Sequence, residues 1–182
     1  MQQQCCTKTF GRRFFLLHPF FYFICYMKTA SIKELKEELT HRSREELVEY
    51  CLRLGKFKKD NKELLTYLLF NAGDEPGFIA SVKNGMDELF TQVNTSNIYF
   101  AKKSIRKIVR TADRFIRYCD TASVEAELRI FLCEKIKALN MDFSKSQVMQ
   151  NIYDGQLKKI NKVIASMHED LQYDFSRQLK RL

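Results

Sequence analysis

An all-α fold is what residues 27–182 predict, and three observations predict it. Apolar side chains recur at spacings of three and four along most of that stretch, the period of one helix face. Helix-start signals, a Ser or Asp followed three residues later by Glu, come up repeatedly. The chain has only six glycines and two prolines, and no window alternates apolar and polar side chains as a strand would. With 182 residues there is enough chain for one domain to bury a core without disulfides or metals. About seven helices are expected.

The first, residues 32–39, follows Ser31 and Glu34 as a capping box and aligns Ile32, Leu35 and Leu39. Ser43 and Glu46 open the second, which carries Leu47, Val48, Cys51, Leu52 and Leu54 and is expected to end at Gly55. "KFKKDNK" then reads as a basic connector. Asp60 and Glu63 start a third helix, "NKELLTYLLFNA", apolar nearly all round and therefore expected at the buried centre.

"GDEPG" stops it, with Pro76 placed for a first helical turn. The fourth helix lines up Ile79, Val82, Met86, Leu89 and Val93, and "NTSN" breaks it. The fifth, residues 98–119, aligns Ala101, Ile105, Ile108, Ala112, Phe115 and Cys119. "DTAS" caps a sixth with Val124, Leu128, Phe131, Lys135 and Leu139. Past "NMDFSKS" the last stretch carries Leu157, Ile160, Ile164, Met167, Leu171, Phe175 and Leu179, with Asp154-Gly155 as the place for a kink or restart. Connectors of roughly 3–7 residues predict antiparallel neighbours, in a bundle or a short stack of helical hairpins.

Residues 1–26 stand apart. They hold Lys8, Arg12 and Arg13, no acid, and the aromatic run "FFLLHPFFYFICY". That run is shorter than the roughly 17 residues a spanning helix needs, and His18-Pro19 interrupts it. Three readings remain: an overlong start with translation beginning at Met27, a signal or membrane-associating segment, or a real segment with another role. The first is preferred, because "MKTASIKELKEEL" has the form of a fresh N-terminus. It makes residues 27–182 a single cytoplasmic domain, whereas a translated leader implies membrane association or export. Cys5, Cys6, Cys25, Cys51, Cys119 and Cys133 form no C-x-x-C, and buried free thiols in a reducing compartment are expected.

The segments "LGKFKKDNKELLTYLLFNAGDEPGFIASVK", "KKSIRKIVRTADRFIRYC" and "MHEDLQYDF" resemble, in wording and order, a family of bacterial all-helical proteins classed as a domain of unknown function. The likeness runs from Met27 to the C-terminus and leaves the leader out. It implies an all-helical fold and supplies no activity, cofactor or site residue.

Net charge is +9, and the three leader cations leave +6 for the rest. Its clearest concentration is on residues 98–119, where Lys102, Lys103, Arg106, Lys107, Arg110, Arg114 and Arg117 recur opposite the apolar stripe with Asp113 the one acid. Like charges so spaced repel by about 0.2–0.5 kcal/mol per pair, so something must offset them. Acids on neighbouring helices would do so: Asp87, Glu88, Glu125, Glu127 and Glu134 are candidates. A phosphate backbone would do so too, through counterion release, as would an acidic protein or a lipid headgroup. The expected function is a non-enzymatic binding module contacting nucleic acid or another polyanion through this face. The alternative is a protein-interaction or homo-oligomeric scaffold, with acids near the start and finish of the chain and the clusters Lys56, Lys58, Lys59, Lys62 and Lys158, Lys159, Lys162 pairing helices or protomers.

No catalytic signature competes. "HEDLQ" has one His and no second four residues on, so the zinc-protease spacing fails. His168, Glu169 and Asp170 are consecutive and diverge on a helix, the glycines build neither a phosphate loop nor a dinucleotide turn, and the cysteines lie in or beside apolar stripes. No cofactor and no metal site is expected.

Overall fold

The computed structural model describes residues 28–141 and 146–182. The expectations placed on residues 1–27, and those on part of "NMDFSKS", lie outside the described residues. The chain divides into two units, one ending at Ser43 and one running from Arg44 to Leu182, and each is described by itself. Every element among the described residues is helical, and none is a strand.

The first unit holds α1 (Ile32–Thr40). Its capping box is complete: the Ser31 hydroxyl accepts from the Glu34 backbone N–H at 3.3 Å, and the Glu34 carboxylate accepts from the Ser31 N–H at 2.7 Å. That second bond holds the Glu34 carboxyl below its ordinary pKa.

The second unit is an all-α bundle with a helical hairpin leading into it. In order it contains α2 (Arg44–Phe57), α3 (Lys59–Thr66), a π-helical turn (Tyr67–Asn71), α4 (Glu75–Thr91), α5 (Ile98–Cys119), α6 (Ala122–Ala138), α7 (Gln147–Ile164) and α8 (Glu169–Leu179). Helix α6 is its axis and packs against α4, α5, α7 and α8. Val124, Leu128, Leu132 and Ile136 face one apolar cluster shared with Val82 and Met86 of α4 and with Ile105 and Ile108 of α5. Ala126, Ile130 and Cys133 face a second, shared with Ile160 and Ile164 of α7 and Phe175 of α8. A helix with neighbours on several sides buries more than one face, which hides it from a search for a single stripe. Lys135, the polar member of its expected stripe, reaches Asp87 at 2.6 Å, with its ammonium 5.0 Å from the Phe131 ring.

Four boundary or burial expectations need correction. The third helix is not the buried centre: Tyr67 is its buried side chain, T-stacked on Phe78 at 4.7 Å, while Leu68, Leu69 and Phe70 are exposed. It lies against α2 and touches the bundle along one edge, so apolar character all round is not matched by partners all round. Gly55 does not end α2, because it lacks the positive φ of a C-cap glycine and the helix continues to Phe57. Lys58 alone therefore separates α2 from α3. Asp60 does not cap α3; the helix starts at Lys59, and Asp60, inside its first turn, pairs with Arg114 at 3.2 Å.

The last stretch does break, but not at Asp154-Gly155, where the backbone stays helical. It turns at residues 165–168, where the Ser166 and Met167 N–H groups bond the carbonyls of Val163 and Ile164. That reversal returns Phe175 to α6 and makes the count eight α-helices among the described residues. None of them is long and apolar enough to cross a membrane.

Candidate functional site

Helix α5 is built for one buried and one open face. Asn97 opens it, its side-chain oxygen accepting from the Tyr99 N–H at 2.9 Å, and Asp120 closes it in the left-handed region at φ 50°. Ala101, Ile105, Ile108, Ala112 and Ile116 are buried. The cations expected as a site occupy the remaining arc, and they divide into three groups. Lys103, Arg106, Lys107, Arg110 and Arg117 are exposed, with no acidic side chain of the described residues within ion-pair distance. Lys102 is half-buried, its ammonium 5.9 Å from the Tyr99 ring. Arg114 is turned inward: its guanidinium meets Asp60 at 3.2 Å and Glu63 at 3.3 Å and lies 5.3 Å from the Phe115 ring. Arg114 thus ties α5 to the α2–α3 hairpin and stands outside the open face.

Three of the five acids offered as internal partners for this face are engaged elsewhere. Asp87 holds Lys135, Glu127 holds Lys83 at 2.6 Å, and Glu125 holds Arg129 at 2.7 Å. Asp113, the one acid among the cations, is taken by Arg129 at 2.7 Å and Lys159 at 3.3 Å.

Arg129 is the polar anchor beneath. It is 5% exposed and donates to Glu125, Asp113 and Gln156, each at 2.7 Å, so its charge and theirs are satisfied together. Above it opens a cleft of about 720 Å³ between α5, α6 and α7, with Arg110, Arg117 and Lys159 on its walls beside Asp113, Asp120 and Glu125. The open cations of α5 therefore continue into a concave rim. Arg129 was not singled out from the sequence. The one local signal was the Glu125–Arg129 spacing of four, which is common on solvated helices and does not reveal burial.

The other chemistry-bearing groups are dispersed. His168 sits at the N-cap position of α8, exposed, 3.3 Å from Asp170. Among the described residues no three His, Cys, Asp or Glu side chains converge as a metal site. Cys133 is buried, and burial pushes its thiol up to about 12; Cys119 is half-buried and also raised by burial. Cys51 departs from the expected burial and is exposed on α2. Tyr118 is pushed up to about 12 by burial first and by Glu63, to whose carboxylate it donates at 3.2 Å.

Compared with known protein families, curated proteins and solved structures, the chain matches none.

Proposed function

We propose that this chain is a non-enzymatic helical binding module whose α5 face engages a polyanion, with nucleic acid the foremost candidate. The supporting observation is the set of five exposed cations, Lys103, Arg106, Lys107, Arg110 and Arg117, that the fold leaves without acidic partners. Such a row costs repulsion while it stands alone and gains by releasing condensed counterions when it meets phosphates. Recognition is by the sugar–phosphate backbone, whose charge the row neutralises without base readout. Arg110 and Arg117 extend the contact into the cleft beside Lys159. A cytoplasmic location, and membership of the bacterial helical family resembled from Met27 onward, belong to the same proposal.

The test is binding of a fluorescent duplex at low salt by the full chain and by the triple variant Arg106→Glu, Arg110→Glu and Arg117→Glu. Binding is expected to be lost while the helical circular dichroism is unchanged. A triple variant that binds as well as the parent, or a parent that does not bind, rejects the reading.

A second reading, a scaffold that associates through helix faces, is favoured by a separate observation: the apolar surface left open on the α2–α3 hairpin.

A further inference from the structure

Helices α2 and α3 bury no side chain of their own, and the π turn after them buries Tyr67 alone. Val48, Leu52 and Leu54 on α2 are more than half exposed, and Phe57 is 80% exposed. Beyond α3, Leu69 is 65% and Phe70 78% exposed. The four on α2 stand on two sides of it: at about 100° per residue Val48 and Leu52 fall together on one side, and Leu54 and Phe57 on the other. Between the helices runs a groove of about 310 Å³ floored by Leu64, Leu65 and Leu68.

Charge selects the occupant. Besides Arg44 and Glu46 at its start, the first half of α2 carries Glu45 and Glu49, and the second half Arg53 and Lys56. None of the latter four is ion-paired among the described residues. Laid against a second α2 in the opposite direction, about an axis near Cys51, Glu49 meets the other copy's Arg53 and Glu45 its Lys56. A parallel arrangement sets like against like. This self-complementarity is the signature of an isologous two-fold contact.

From it we infer that the α2–α3 hairpin is a homodimer interface, with α2 running antiparallel to α2 of a second copy. The inference goes beyond the polyanion reading and is independent of it, since it uses no residue of the α5 face.

The experiment is sedimentation velocity on the full chain from 1 to 100 μM. The expected result is a mass that doubles from 21.6 kDa as concentration rises. Leu52→Glu with Leu69→Glu is expected to return the monomer with helicity intact, because both side chains are exposed in the single chain. Glu49→Arg alone is expected to weaken the dimer at least tenfold, and adding Arg53→Glu to restore it, since the double swap recreates the cross-pairing. A monomer across the whole range, as when another segment of the chain covers the hairpin, overturns the inference. So does a dimer indifferent to the Leu52 and Leu69 changes, or a double swap that fails to recover.

Discussion

Arg106 is the residue at which an open cationic face and an internally paired one give opposite answers. Its neighbours at three and four residues along α5 include Lys102, Lys103 and Arg110, all cations, and no acid of the described residues contacts it. Arg106→Glu converts three like-charge pairs into three opposite ones. A like pair costs about 0.2–0.5 kcal/mol and an opposite pair gains a similar amount, so each conversion is worth about 0.4–1 kcal/mol in an isolated helix. Exposure and salt bring the total toward the low end, about 1 kcal/mol. In a chain of this size 1 kcal/mol raises Tm by about 2–4 °C. The variant is therefore expected to be more stable than the parent in low salt, with the gain shrinking in 0.5 M salt, and to bind a duplex at least tenfold more weakly. Thermal melts by circular dichroism read the first effect and fluorescence anisotropy the second. A fall in Tm would show that Arg106 serves the fold, and the argument for an open face would fail with it.

Arg129→Ala is expected to cost about 3 kcal/mol or more by denaturant melts, because it strands Asp113 and Glu125 in a partly buried site, and Arg129→Lys is not expected to rescue it. Gly155→Ala is expected to gain about 0.5–1 kcal/mol, since the position is helical and an added Cβ meets nothing within 4 Å. The Cys133 thiol has its folded value raised to about 12, so the unfolded chain gives up that proton first as pH rises. Stability is then whole below the ordinary thiol value and drains from about pH 9 upward, and Cys133→Ala is expected to flatten the fall in Tm between pH 9 and 10. Iodoacetamide with peptide mapping is expected to label Cys51 in the folded protein and Cys133 only after unfolding.

The parts of this molecule legible from the sequence are those governed by local rules. The Ser31–Glu34 box and the stripe at Ala101, Ile105, Ile108 and Ala112 are both set within a turn or two, and both stand in the structure as spacing implies. What escaped depends on neighbours distant in sequence. "ELLTYLLF" is apolar enough for a core, yet whether it becomes one depends on how many helices surround it, and it has α2 on one side and an edge of the bundle on another. Helix α6 shows the converse: partners on several sides bury Arg129 and Ile130 as well as the expected Leu128, and a single stripe foretells neither of the first two. Arg114 and Arg110 are one turn apart and equal in pattern, but Asp60 and Glu63, about fifty residues upstream, claim one and leave the other open. The polar residues around Gly55 and Asp154 promised breaks that the backbone does not make, because glycine permits a turn without requiring one.

The most direct test of the central claim is the slope of log K against log salt for duplex binding by the full chain. Five exposed cations meeting five phosphates give a slope of about −4.5 at 0.9 per contact, roughly a 500-fold loss of affinity between 50 and 200 mM salt. A slope near zero, with binding that survives at 200 mM, would contradict the account.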